Sequence, residues 1–307
     1  MRPDLAEIAA YLRCPDDGAS LAASRAGVAC GQCGRSFHLQ QENIVELMPT
    51  RPRSLPASPY AVSYQQEFDK PIVFRQDAEA WGAPERLPPK IVQRRQRQAS
   101  EVLQFLSEDG VTGNKVMVDL SAGAGDCTFP AARKYWIVFH CDLSADAIVY
   151  ASQKAMRENL TNIVFIRADY FQLPFRASVD HLACLDTLIR GEWHERLLLT
   201  SIQNALASSG AAVVDFHNWW HNPLRRIGLQ RNNFVNNRSY TSSSLRTLLA
   251  DSGVAQYEMK PFVQEADPKR RSSKFLSKIF PAARFMVRLN AAQESHGTIP
   301  VVQRPSV

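Results

Sequence analysis

Three short apolar runs, each closed by an aspartate, constrain this chain more than any other feature. They are Lys115–Leu120 (KVMVDL), Trp136–Cys141 (WIVFHC) with Asp142 next, and Asn162–Arg167 (NIVFIR) with Asp169 two residues on. Runs of this length, rich in β-branched and aromatic residues, read as buried strands. Helical spacing lies between and around them. Ile91, Arg95, Ala99, Val102, Leu103 and Leu106 share one face over residues 91–108, and Ala147, Ile148, Ala151 and Ala155 share one over Ala145–Glu158. A further helix starts at Thr128–Lys134, and another runs from about His194 to Ala207 between strands at Val179–Leu185 and Ala211–Phe216. Strands alternating with helices predict an α/β fold, a parallel sheet covered on both faces. Such sheets bind ligands at the carboxyl ends of their strands, where these aspartates fall.

The first strand runs into Asp119-Leu120-Ser121-Ala122-Gly123-Ala124-Gly125-Asp126. Small residues at a strand-to-helix turn let a ligand approach the backbone, and amides at a helix start can receive a carboxylate. A Gly-x-Gly turn alone is equally the mark of a tight turn with no ligand. One carboxylate at a strand end is usually a helix cap. Asp119, Asp142 and Asp169 at three successive strand ends point instead to a nucleotide-like ligand, with Asp142 placed to accept from a ribose diol.

At this point the sequence resembles a family. Val118 through Gly125 resembles the first motif of class I S-adenosylmethionine (SAM)-dependent methyltransferases. His140-Cys141-Asp142-Leu143-Ser144 looks like that family's acidic motif on strand two, and Arg167 through Phe175 is similar to its G-D-A-x-x-L-P-F element. Val179–Leu188 resembles the strand-four motif, and Ser209 through Val214 the fifth strand. The resemblance implies a Rossmann-like, seven-stranded class I methyltransferase sheet. It further implies that Gly123 and Gly125 pass beneath the methionine part of SAM and that Asp119 holds its ammonium. Asp142 would bind the ribose, Asp169 would reach the adenine amino group, and Tyr170 would flank the ring. Ser121, Leu143 and Asp186, inside the same motifs, complete the implied cofactor set. Ser121 departs from the pattern, standing where the family has its first glycine. A nicotinamide dinucleotide is the alternative cofactor, but its G-x-G-x-x-G turn would want a glycine at Thr128.

The amino-terminal region has a different character. Cys14-Pro15-Asp16-Asp17 and Cys30-Gly31-Gln32-Cys33-Gly34 resemble the two knuckles of a zinc ribbon, of the kind that precedes the catalytic domain in some rRNA guanine methyltransferases. Two ligand pairs so spaced let a hairpin bring four ligands together tetrahedrally. The expected fourth cysteine is Asp17, so the implied set for a structural zinc ion is Cys14, Asp17, Cys30 and Cys33, with His38 as a substitute for the aspartate. The organisation expected is a zinc-ribbon-like β module over 1–50, a linker and helical cap over 51–90, the methyltransferase domain over 91–291, and a flexible tail over 292–307. Arg51-Pro52-Arg53-Ser54-Leu55-Pro56 has linker composition. The aromatics Tyr60, Tyr64, Phe68, Phe74 and Trp81 that follow it are expected to cover a neighbouring surface.

Methyl transfer from a sulfonium needs alignment of nucleophile and methyl carbon, and in some cases removal of a proton. Base candidates are His217 and His221 in His217-Asn218-Trp219-Trp220-His221 after strand five, and His194 after strand four; a histidine beside tryptophans is more often packing. Phe216 to about Tyr240 is expected to wall the acceptor site. Strand four ends Cys184-Leu185-Asp186-Thr187, unlike the D/N-P-P-Y/F of nucleic-acid amino-methyltransferases. The expected acceptor is therefore an O or N atom of a small molecule or glycan. RNA is the alternative: the formal charge is +6, with basic patches at Arg94-Arg95-Arg97, at Arg225, Arg226 and Arg231, and at Lys269-Arg270-Arg271 with Lys274 and Lys278. A third reading is a catalytically degenerate SAM-binding or scaffold protein, for which Ser121 and Asp17 are the signs. No run of about 18 apolar residues is present, so no membrane span is expected. Three clustered cysteines beside three single ones (Cys127, Cys141 and Cys184, in strand-like segments) predict a reducing, cytoplasmic setting.

Overall fold

A computed structural model describes residues 3–40, 43–55, 59–80, 82–107, 110–111, 114–187, 192–221, 239–263 and 282–291. Seven strands build the central sheet: β5 (Val116–Leu120), β6 (Ile137–Asp142), β7 (Ile163–Ala168), β8 (Val179–Cys184), β9 (Leu206–His217), β10 (Tyr257–Val263) and β11 (Ala282–Asn290). Their order is β7-β6-β5-β8-β9-β11-β10, with β11 antiparallel to both of its neighbours and the other pairs parallel. This is the Rossmann-like sheet expected from the sequence. Every residue of β5 and of β7 is buried, as strands covered on both faces must be.

Helices α3 (Pro89–Leu106), α4 (Thr128–Ala132) and α5 (Ala145–Arg157) cover one face. Pro89, free of any need for an N–H, opens α3. Its buried stripe of Ala99, Val102, Leu103, Phe105 and Leu106 packs with Met117, Val138, Ile163 and Val213 of the sheet. Ser144 caps α5, whose chain carries Asp146 in the first turn and Lys154 and Arg157 in the last, matching the helix dipole at both ends. Helices α6 (Glu192–Ala205) and α7 (Ser242–Asp251) lie against the other face. Several boundaries differ from expectation: β9 begins at Leu206, within the stretch expected to be helical to Ala207, instead of at Ala211. Helix α4 stops at Ala132 rather than Lys134, and Cys127 sits in the turn before it rather than in a strand.

The amino-terminal segment occupies the rest of that second face. Helix α1 (Leu5–Ala10) starts with a reciprocal cap: Glu7 N donates to Asp4 at 2.7 Å and Asp4 N donates to the Glu7 carboxylate at 3.0 Å. Strands β1 (Leu21–Ser24), β2 (Gly27–Cys30), β3 (Ser36–Gln40) and β4 (Ile44–Leu47) follow as an antiparallel run. Strand β4 then pairs in parallel with β7, so the small β module continues the main sheet. The connection from β7 to β8, residues 169–178, contains no helix. Ile8, Leu12, Leu21, Val28 and Phe37 of the module stand in its place, joined in one core with Phe139 and Phe175. Main-chain bonds seal the contact: Arg13 N donates to Pro174 O at 3.0 Å, and Arg176 N to Tyr11 O at 2.9 Å. Helix α2 (Pro59–Asp69) carries Tyr60, Tyr64 and Phe68, which turn onto this same core, whereas Phe74 is exposed. Trp81 lies outside the described residues.

Candidate cofactor site

At the carboxyl ends of β5, β6 and β8 the structure forms a cavity of about 260 Å³. Asp119, Ser121, Gly123, Asp142, Tyr170 and Asp186, all singled out in the sequence, line it. The turn after β5 reaches this shape through left-handed backbone at Ser121 (φ 56°), Gly123 (φ 53°) and Gly125 (φ 83°). Gly125 does not line the cavity: a Cβ there would sit 2.4 Å from the Phe129 ring, so this glycine serves the packing of α4 against the turn. Leu143 points into the hydrophobic core.

Asp142 ends β6 and binds the turn directly. Its Oδ2 accepts from Gly123 N at 2.8 Å and its Oδ1 from Ser144 N at 2.8 Å. Each oxygen keeps a second acceptor site that a hydroxyl can use. Burial raises the Asp142 carboxyl above its ordinary pKa, opposed by these two amides. Asp119 is 3% exposed, and its Oδ2 accepts from the Thr128 hydroxyl at 2.6 Å. Thr128 Oγ1 also lies 2.8 Å from Nδ1 of the fully buried His140. Burial pushes Asp119 up to about 7, against the pull of Thr128, and pushes His140 down to about 3. The spacing that denied a dinucleotide glycine at Thr128 thus serves a buried polar chain behind the turn.

Asp169 lies just off the cavity. Its carboxylate accepts from the Tyr64 hydroxyl of α2 at 2.7 Å and from Phe171 N at 2.9 Å. Tyr60, from the same helix, is among the lining residues. His194 is buried against Tyr60 and Phe171, with ring centroids 5.4 and 5.7 Å away, a packing position.

At the far end Asp186, in left-handed backbone (φ 55°), meets a polar network that the sequence did not disclose. Arg284 of β11 reaches Asp186 Oδ1 at 2.5 Å and also pairs with Asp215 of β9. Asp215 further accepts from Gln98 Nε2 at 3.0 Å and from Asp186 N at 2.9 Å. Burial alone would raise Asp186, but the Arg284 guanidinium, with His217 and Arg95 nearby, holds it below the usual carboxylate range. His217 borders a smaller hollow of about 30 Å³ with Asp215, Phe216, Tyr240 and Thr187, and Thr187 also lines the main cavity. His221 ends a short 3-10 turn, Trp219–His221. Residues 222–238 of the expected acceptor wall, and the patches holding Arg225 and Lys269, lie outside the described residues, as does the expected tail.

In the amino-terminal module, one ligand atom from each of Cys14, Asp17, Cys30 and Cys33 lies within 4.8 Å of all the others. Cys14 Sγ and Cys33 Sγ are 3.7 Å apart, and Cys30 Sγ is 3.3 Å from Asp17 Oδ2. A tetrahedron with Zn–S bonds of about 2.3 Å has an edge of about 3.8 Å, so the thiols stand at ligating separation. Both knuckles close on glycines with positive φ, Gly18 (74°) and Gly34 (75°), where Gly18 N donates to Cys14 O and Gly34 N to Cys30 O. The donor set suits zinc. His38, on β3, is not part of the cluster.

Glycine turn, strand-end acids and strand order are those of the class I SAM-dependent methyltransferase fold. Residues 117–210 match a family model described as a methyltransferase domain. Among solved structures, geranyl diphosphate C-methyltransferase from Streptomyces coelicolor A3(2) superposes with a TM-score of 0.52 at 14% identity, over 77% of this chain and 99% of that one. Magnesium protoporphyrin IX methyltransferase from Synechocystis PCC 6803, solved with SAM, gives 0.51 at 15% identity, over 78% and 100%. Phosphoethanolamine N-methyltransferase 2 from Haemonchus contortus gives 0.48 at 14%, over 64% of this chain and 53% of that one, so the chain spans about half of its length. No curated protein matches the sequence. Among the described residues no helix is long and apolar enough to cross a membrane.

Proposed function

We propose that this chain binds SAM in the cavity between β5, β6 and β8 and passes its methyl group to an O or N atom of a small molecule or glycan. One observation carries the reading. Asp142 faces the cavity with both oxygens already oriented by backbone amides, and the glycine turn lies directly against it. A carboxylate preset in this way binds a vicinal diol without reorganising. Asp119 would hold the ammonium of the amino-acid part, Tyr60 and Tyr170 would flank the adenine, and Asp169 would serve its amino group from beside Tyr64.

SAM supplies an electrophilic methyl on a sulfonium, so the protein's tasks are to position the acceptor and, for a hydroxyl or protonated amine, to take up a proton. His217 is the proposed base, next to the Asp186–Arg284–Asp215 network at the acceptor end. The main cavity is a hollow of about 260 Å³ with Tyr60 of α2 among its lining residues, a size that favours a small acceptor over a polynucleotide. The substrates named for the first two structural relatives above, geranyl diphosphate and magnesium protoporphyrin IX, are also small molecules.

The test is calorimetric titration with S-adenosylhomocysteine (SAH). Asp142→Ala should weaken binding by tenfold or more, since hydrogen bonds to a charged group contribute roughly 1.5–3 kcal/mol. Unchanged affinity would remove Asp142 from the site. Once an acceptor is found, His217→Ala should lower turnover at intact SAH affinity, and equal turnover would end its assignment as base.

A further inference from the structure

Arg167 is the least expected side chain in the sheet. It stands in a strand otherwise apolar and is only 2% exposed. Its register explains what it can reach: in parallel ladders on either side, Arg167 is paired with Glu46 of β4 and with Asp142 of β6. Paired residues on neighbouring strands project to the same face, so three charges of alternating sign run across the sheet.

The guanidinium makes four separate contacts. Nη1 pairs with Glu46 Oε1 at 2.5 Å; Nη2 donates to Glu67 O at 2.7 Å and to Phe68 O at 3.2 Å; Nε donates to Leu143 O at 3.1 Å. Leu143 is the hinge between the Asp142 carboxylate and the Ser144 amide that orients it. Glu67 and Phe68 belong to the last turn of α2, whose carbonyls lack helical partners and attract a cation. The Glu67 carboxylate also lies close enough for its charge to act on Asp142, and its Oε2 is buried without a partner among the described residues. The balancing charge for Arg167 comes from Glu46, which belongs to the amino-terminal module. Arg167 is buried while Glu46 is partly exposed, so removing Glu46 leaves the buried guanidinium without its counter-charge and disturbs what it holds.

We infer that Arg167 is a positioning residue for the cofactor's ribose, and that the amino-terminal module completes the site by supplying Glu46. This rests on the reading that SAM binds at Asp142. The module is then a working part of the cofactor site and not an appended binding unit: Glu46 fixes Arg167, and Arg167 fixes the Leu143 carbonyl and hence the pose of Asp142.

The experiment compares SAH with its 2′-deoxy analogue, titrated into the full chain, the Arg167→Lys variant and the Glu46→Gln variant. In the full chain SAH should bind about tenfold more tightly than the analogue, the effect of one hydrogen bond to a charged group. Both variants should lose most of that preference through weaker SAH binding, while affinity for the analogue changes little. A variant that is merely less stable would weaken both ligands alike, and that result overturns the inference. So does an unchanged preference in Glu46→Gln, which keeps the shape of a half-exposed side chain and is the safeguard should Arg167→Lys fold poorly. Sensitivity to Asp142→Ala with indifference to both variants would leave the cofactor reading standing and end this one. A full chain that binds no SAH would end both.

Discussion

Burial has set two roles of Asp119 against each other, which makes Asp119→Asn the most informative single change. The carboxyl is pushed up to about 7 in the fold from an ordinary 3.8, chiefly by desolvation. A raised carboxyl favours the folded state only while protonated. Its contribution is full below about pH 4 and is lost as pH rises through about 7. At about 1.36 kcal/mol for each tenfold change in proton affinity, keeping this carboxylate ionised in the fold at pH 8 costs about 4 kcal/mol. Asparagine keeps the acceptor for Thr128 and carries no charge, so the variant should be more stable than the parent by up to about 4 kcal/mol at pH 8. The gain should shrink to nothing near pH 4. The same variant should bind SAH at least tenfold more weakly, because the ammonium loses its counter-charge. In the parent, SAH affinity should fall about tenfold from pH 8 to pH 6, as the ionised fraction of Asp119 drops from about nine-tenths to about one-tenth. Urea unfolding followed by tryptophan fluorescence, with calorimetry at the same pH values, measures both. An Asn variant whose stability difference is the same at pH 4 and pH 8, or an SAH affinity flat across that range, would refute the argument.

Two other outcomes follow. Protein purified without chelator should carry about one zinc ion per chain, lost in Cys33→Ser; metal analysis finding none in the parent, with its thiols reduced, would show a ribbon that folds without metal. Ser121→Gly should stabilise the protein slightly, by about 0.5–1 kcal/mol, since left-handed backbone costs a side chain about 1–2 kcal/mol and glycine's extra chain entropy takes back about 0.5–1. A melting temperature that falls would mean the Ser121 side chain makes a contact that outweighs the strain.

What could be read from the sequence was what local chemistry dictates. Apolar runs with small-residue turns placed β5 through β9, and an aspartate at a strand end announced itself because a charge there must face something polar. The roles that depend on distant partners were hidden. Arg284 is far from Asp186 in sequence, and the two meet only because β11 inserts antiparallel beside β9. Tyr64 reaches Asp169 only because α2 folds back over the sheet. For Arg167 a signal did exist: an arginine ending an otherwise apolar strand, NIVFIR, must be paired if that strand is buried on both faces. Its partner could not be named, because no pattern in the sequence announces that β4 docks on β7. Asp17 lay between these cases. Its spacing put it in the knuckle, and the folded cluster prefers it to His38.

The pairing of β4 with β7 has a consequence for how the chain is made. Glu46 leaves the ribosome 121 residues before Arg167, the residue it must meet. A domain synthesised first usually folds first. Here the early segment can close its hairpins and gather its cysteines, but its last strand has no sheet to join until β5, β6 and β7 have all emerged. Through that interval β4 offers Ile44, Val45 and Leu47, buried in the finished fold, to whatever chain is nearby. Deleting the first fifty residues would not yield a smaller self-contained α/β domain either. It would bare the edge of β7 and the apolar face around Phe139 and Phe175, the surfaces through which such a fragment would stick to its own copies.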